Sequence, residues 1–214
     1  MTRIATRTAT IVLILGTTLL AGTGTGRAEV VSACGSLSNE EGPFDYRSAP
    51  PKTLDLVQRY HFTESVAALQ KGSSTIYIGA DISYTLRWFP NHPRALLAMA
   101  ELARREKKDP PTGSPYTVQC WFQRAIEFRP DDEQVRAIYG VTLLRDGKRS
   151  LAIEQLTKAL TLAPNDANAH YNLGLAYFGE KRYEEARVEA KAAYALGFPL
   201  PGLRDLLKRE NQWK

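Results

Sequence analysis

A period of 34 residues runs through the second half of the chain and restricts the folds open to it. Shifted by that step, Tyr139-Gly140 falls on Leu173-Gly174, Leu143 on Tyr177, Ala152 on Ala186, Leu156 on Ala190 and Ala159 on Ala193. Pro164 falls on Phe198, which Pro199 follows. One step earlier, Phe122, Ala125 and Pro130 precede Leu156, Ala159 and Pro164. Pro90 precedes Pro130 by 40 positions, and the surplus of six is visible as the Pro- and Gly-rich insert Asp109 to Pro115. Ile82 then stands where Phe122, Leu156 and Ala190 stand in later copies. A unit this short cannot bury its apolar face alone, so its copies must stack on one another.

Each clear unit holds two runs with apolar residues recurring near every 3.6 positions, 132–145 with 150–162 and 167–178 with 183–196. That spacing predicts paired amphipathic helices. Gly140, Gly174, Ala152, Ala186, Ala159 and Ala193 are small where two helices would approach closely. Pro130 and Pro164 cannot continue a helix, and Asp131 and Asn165 just after them suit the cap of the next one. The expected fold class is all-α, an α-solenoid of stacked antiparallel helix hairpins. A helix over 201–209 closes the stack, with Leu203, Leu206 and Leu207 on one face and Arg204, Lys208 and Arg209 on the other. Residues 29–52, rich in Ser, Gly and Pro, read as an extended, draped segment ahead of a helical domain over 53–214. Helical patterning resumes over 53–70.

These residues resemble the tetratricopeptide repeat (TPR) family. The signature of that family is Leu or Tyr before Gly and then an aromatic or Leu on the first helix, Ala, a bulky residue and Ala on the second, and a closing Pro. Residues 133–164 and 167–199 carry it clearly, the latter through Tyr171-Asn172-Leu173-Gly174-Leu175-Ala176-Tyr177. Degenerate copies occupy about 60–90 and 92–130, where Met99 or Ala100 replaces the expected Gly. The whole is similar to small exported bacterial TPR proteins. The resemblance implies that the first helix of each hairpin lines a concave groove that takes a protein or peptide. By position the lining is Gln134, Ala137, Ile138, Val141 and Arg145 in one unit. The next unit supplies Asn168, Tyr171, Asn172, Leu175 and Phe178, and Arg104 faces the groove from the degenerate copy. Asn172 resembles the family's clamp for a partner's backbone amide, and Arg104 and Arg145 can meet a carboxylate. Alternatively, Tyr171 and Phe178 cover neighbouring helices and both arginines are only solvated. Ile138 and Val141 stand where a terminal-carboxylate clamp needs polar residues.

The first 28 residues look like a secretory leader. Arg3 and Arg7 precede the apolar run Ala9 to Ala21, and Gly26-Arg27-Ala28 predicts cleavage after Ala28 and a periplasmic or secreted product. Thr23, not Cys, follows Leu20-Ala21-Gly22, so no lipid attachment is expected, nor stable membrane insertion after cleavage. An uncleaved anchor and an organelle transit peptide are the rival readings. Arg3, Arg7 and Arg27 carry three of the five net positive charges, and the near-neutral remainder argues against a nucleic-acid partner. Gly22 to Gly26 alternates Gly and Thr but lacks the Lys-Ser/Thr ending of a phosphate loop. Cys34 and Cys120 are the only cysteines. In an oxidising compartment they can join; otherwise Cys120, between Gln119 and Trp121, is a small core residue.

No reaction is legible. His61, His92 and His170 lie apart, in no metal-binding spacing, and read as local caps or packing at hairpin junctions. Glu184-Glu185 reads as an exposed helix face. No catalytic residue, cofactor or metal is expected. The function expected is an exported scaffold for protein–protein interaction, for example in envelope, pilus or secretion assembly. The alternative is a carbohydrate- or cell-wall-binding module using Tyr171, Phe178 and Trp88 as stacking platforms.

Overall fold

The computed structural model describes residues 34–38 and 42–213, and the proposed leader with its cleavage point lies outside them. The described residues form ten α-helices and one 3-10 turn at Tyr46–Ser48, with no strand among them. In chain order the helices are α1 (Pro51–His61), α2 (Glu64–Ala67), α3 (Ile78–Trp88), α4 (Pro93–Glu106) and α5 (Val118–Phe128). There follow α6 (Glu133–Arg145), α7 (Arg149–Leu162), α8 (Ala167–Gly179), α9 (Tyr183–Ala195) and α10 (Gly202–Arg209). No described helix is long and apolar enough to cross a membrane.

Two rows account for the packing. Consecutive helices pair as hairpins α4/α5, α6/α7 and α8/α9, while α4 abuts α6, α6 abuts α8 and α8 abuts α10. First helices therefore stack on first helices, which is the arrangement expected of a solenoid. The close approach depends on glycine at two equivalent points. A Cβ on Gly140 would lie 2.5 Å from the Leu156 Cγ, and one on Gly174 would lie 2.5 Å from the Leu203 Cδ2. Leu156, Phe122 and Ile82, the bulky members of successive copies, are all fully buried, and Phe122 stacks on Tyr139 with ring centroids 4.5 Å apart.

Three local expectations need correction. The caps of α6 and α8 are Asp132 and Asp166, one residue later than expected. The Asp132 carboxylate accepts from Val135 N at 3.1 Å, and that of Asp166 from Asn168 N and Ala169 N at 2.8 and 3.1 Å. Asp131 stays exposed beside Arg47 and Arg129. Second, helix formation starts at Pro51, whose fixed φ suits a first helical position, and breaks at Phe62-Thr63 instead of running on to Gln70. Third, α6 is not simply amphipathic. Val135, Tyr139 and Leu143 face the core, while Ala137, Ile138 and Val141 leave a second apolar face half exposed.

The described residues before α1, 34–38 and 42–50, are draped and firmly held. Cys34 and Cys120 form a disulfide with Cα atoms 5.2 Å apart. One turn along α5, Arg124 is only 3% exposed and lies against the rings of Tyr116 and Trp121. Its Nη1 donates to the carbonyls of Cys34, Gly35 and Ser36 at 2.8, 3.0 and 2.8 Å, and burial pushes its pKa down. Further on, Phe44 N donates to the Trp88 carbonyl at 2.8 Å, and Asn91 Nδ2 donates to Asp45 and Asp132 at 2.7 and 2.8 Å. The Arg47 guanidinium beside Asp45 holds that carboxyl well below the usual carboxylate range.

His92 makes this junction sensitive to acid. It is fully buried against Tyr46 and Phe62, and its Nδ1 caps α4 by accepting from Ala95 N at 3.3 Å. Burial, reinforced by the charge of Arg94, pushes its pKa down from 6.5 to about 4. Between those values the unfolded chain binds the proton first, so stability is whole above pH 6.5 and falls as the pH drops towards 4. The loss should reach about 3 kcal/mol. Thermal melts across this window should show it, and His92→Asn, which keeps a capping side chain but does not titrate, should flatten the profile.

Candidate groove on the inner row

Two adjoining recesses that share Leu97 and Arg145 form a trough along the row of first helices. Its first part, about 300 Å³, lies between α2 and α4 and is lined by Ala67, Ala68, Leu69, Arg94, Leu97, Ala98 and Glu101, with Arg145 at its end. Its second part, about 260 Å³, crosses α6 and α8 and shares Leu97 and Arg145 with the first. There Ala137, Ile138 and Val141 make an apolar floor, and Gln134, Asn168 and Asn172 make a wall of side-chain amides. The second apolar face of α6, half exposed, floors the trough.

Charges within the trough are unequally committed. Arg94 is held by both oxygens of Glu64 at 3.0 to 3.1 Å, which lowers the pKa of that carboxyl. Glu101 is gripped by Arg104, and the Asp166 carboxylate is occupied in capping α8. Arg145 remains 54% exposed, with Glu101 only at 3.9 Å. Asn172 Nδ2 donates to the Asn168 carbonyl at 2.8 Å, and its Oδ1 takes no hydrogen bond among the described residues.

Of the residues expected to line a groove, Gln134, Ala137, Ile138, Val141, Arg145, Asn168 and Asn172 come together. Four do not join them. Arg104 bonds Glu101 and lies 3.7 Å from Asp146, beside a separate recess with Lys107 and Lys108. Tyr171, Leu175 and Phe178 pack under α10 with Leu203 and Leu207, because α10 occupies the place the next first helix would take. Tyr171 stacks on Phe198 at 3.9 Å, Phe178 meets the ring of Tyr183 at 5.5 Å, and Trp88 stacks on Phe44 at 6.1 Å. All three rings are half-buried, each packed against another ring.

Leu97, 41% exposed at the centre of the trough, was missed, as were its neighbours Arg94, Ala98 and Glu101. The signal was present. Stepping back 40 positions from Gln134, Ala137, Ile138 and Val141 lands on these four residues, since the insert falls after α4.

The histidines are all engaged locally. His61 Nδ1 lies 3.0 Å from Asp81, His92 caps α4, and His170 lies 2.6 Å from Glu189 and 3.0 Å from the Pro164 carbonyl. Glu184 pairs with Arg187 and Glu185 with Arg182 on the surface of α9. No group of three or more His, Cys, Asp or Glu among the described residues is placed to hold a metal ion.

Comparison with known proteins bears on the same region. A family model described as TPR repeat matches residues 140–181, and one described as Tetratricopeptide repeat matches 167–196. Among solved structures, PilF of Pseudomonas aeruginosa is 19% identical over 75% of this chain and 68% of its own, with a TM-score of 0.52. A double mutant of MamA RS-1 is 22% identical over 75% of this chain and 84% of its own, with a TM-score of 0.53. At such identities the likeness is one of fold. No curated protein sequence matches the chain.

Proposed function

We propose that the chain, whose residues 140–181 and 167–196 match tetratricopeptide-repeat models, is an exported scaffold that captures another protein in the trough between α4, α6 and α8. The observation that supports this reading is the uncovered apolar floor of Ala137, Ile138 and Val141 beside the amides of Gln134, Asn168 and Asn172. An apolar face that the fold leaves open is a place for a partner, and side-chain amides match a partner's main chain. The Cys34–Cys120 bridge is compatible with export, since such bonds persist in oxidising compartments. Envelope, pilus or secretion assembly are the settings in which such a scaffold would serve. The role assigned is binding, with no catalytic group.

A photo-crosslinking residue tests the site directly. Placed at Val141 in the trough it should trap a partner in the native envelope, and placed at Leu151, exposed on α7, it should not. Adding Ile138→Asp, which sets a charge on the floor, should cut the Val141 crosslink at least fivefold with helicity unchanged. Equal crosslinks from both positions would count against the trough.

A further inference from the structure

We infer that the front of the stack makes reversible contact with an anionic lipid surface, through Leu56 and Tyr60 of α1 and Ile76 and Tyr77 of the loop before α3. This contact is independent of the trough. Single apolar side chains on a surface are ordinary, but these four gather at one end of the fold and are 57, 54, 84 and 49% exposed. Leu56 and Tyr60 stand one turn apart on the same face of α1. The Ser74 hydroxyl donates to the Tyr60 carbonyl at 2.7 Å, which ties the loop to the end of that helix.

The loop is fixed from beneath and from behind. Asp81 is fully buried, and its Oδ2 accepts from Ser73 N, Thr75 N and the Thr75 hydroxyl at 2.7, 3.3 and 3.2 Å, while its Oδ1 lies 3.0 Å from His61 Nδ1. A Cβ on Gly72 would lie 2.0 Å from the Thr75 carbonyl oxygen, so the turn closes tightly on itself. Behind it the insert 109–115 brings Gly113 so near that a Cβ there would stand 2.6 Å from the Tyr77 Cβ. A buried carboxylate is costly unless its hydrogen bonds are met. Here they are met by a loop whose tip, Ile76, is the most exposed large apolar residue among those described.

Charge selects the occupant. Arg59 pairs with Asp55, whereas Lys52, one turn before Leu56, and Lys71, which opens the loop, have no carboxylate partner among the described residues. Pairing this face with a second copy would set the same lysines against each other. Anionic headgroups attract them instead, tyrosine rings suit the headgroup level, and an aliphatic tip enters the acyl boundary beyond it.

The test uses the chain from Glu29, which keeps every described residue and lacks the apolar run 9–21 that would bind lipid by itself. It is floated with vesicles of one part phosphatidylglycerol to two of phosphatidylcholine, and with vesicles of phosphatidylcholine alone. Binding to the anionic vesicles should be about tenfold stronger, and the gap should narrow as salt rises. Ile76→Asp should weaken it about fivefold or more, and Lys52→Glu/Lys71→Glu should erase the preference between vesicles. Leu151→Asp, on α7, should change neither, and helicity should be kept throughout because every altered residue is exposed. Equal binding to both vesicles, undiminished binding of Ile76→Asp, or no binding would overturn the inference. Concentration-dependent pairing that Ile76→Asp abolishes, or a protein trapped by a photo-crosslinker at position 76 without vesicle binding, would overturn it too and give the face to a second copy or a protein partner. A failed crosslink from Val141 counts against the trough alone.

Discussion

Reducing the Cys34–Cys120 bridge is expected to lower the stability of the fold by about 4 to 5 kcal/mol, from the chain entropy released by a closed loop of 86 residues. Denaturant titrations of oxidised and reduced protein, with Cys34→Ser/Cys120→Ser as control, measure this. The damage should be uneven. Residues 34–38 bind α5 through Arg124, residues 42–48 bind α3 through Trp88 and the α3–α4 junction through Asn91, and once the bond is cut those contacts must hold them alone. Hydrogen exchange should therefore quicken first in α1 to α5, whereas α8 and α9, remote in sequence from the loop, keep their protection. A loss below 1 kcal/mol would mean that Arg124 and Asn91 suffice and that the bond is incidental.

Replacing Leu203 and Leu207 together by Ala should cost about 5 kcal/mol, the costs of neighbours on one short helix not being strictly additive. Both are fully buried, and Leu203 enters the space that Gly174 leaves by lacking a side chain. Tyr171, Leu175, Phe178, Ala186 and Ala190 share the same cluster, so loosening α10 uncovers the last hairpin. Melting temperature should fall by about 10 to 20 °C for a chain of this size. A fall under 5 °C would show that α8 and α9 close the stack without α10.

Much of this architecture is legible in the sequence because a repeat reports its own packing. Gly140 and Gly174 mark close approaches, and Pro130 and Pro164 end helices, each for a reason visible in one copy and tested in the next. What is lost is whatever depends on a particular neighbour. Asp131 and Asp132 are chemically the same, and only the backbone of the turn decides which reaches Val135 N. Tyr171 and Phe178 hold groove positions by register, yet theirs is the last unit, where the closing helix takes the space a further copy would leave open. Leu97 was recoverable by carrying the 40-residue step through the degenerate copy. Arg124 was not, since its acceptors are three backbone carbonyls, which any residues at 34–36 would present.

The sulfur bridge also determines how the molecule bears tension. A pull applied between the chain upstream of Cys34 and the far end passes through the two sulfurs directly into α5, so the covalent load path bypasses α1 to α4 entirely. Half of the trough wall is thereby shielded from traction at the front of the chain for as long as the bond stays oxidised.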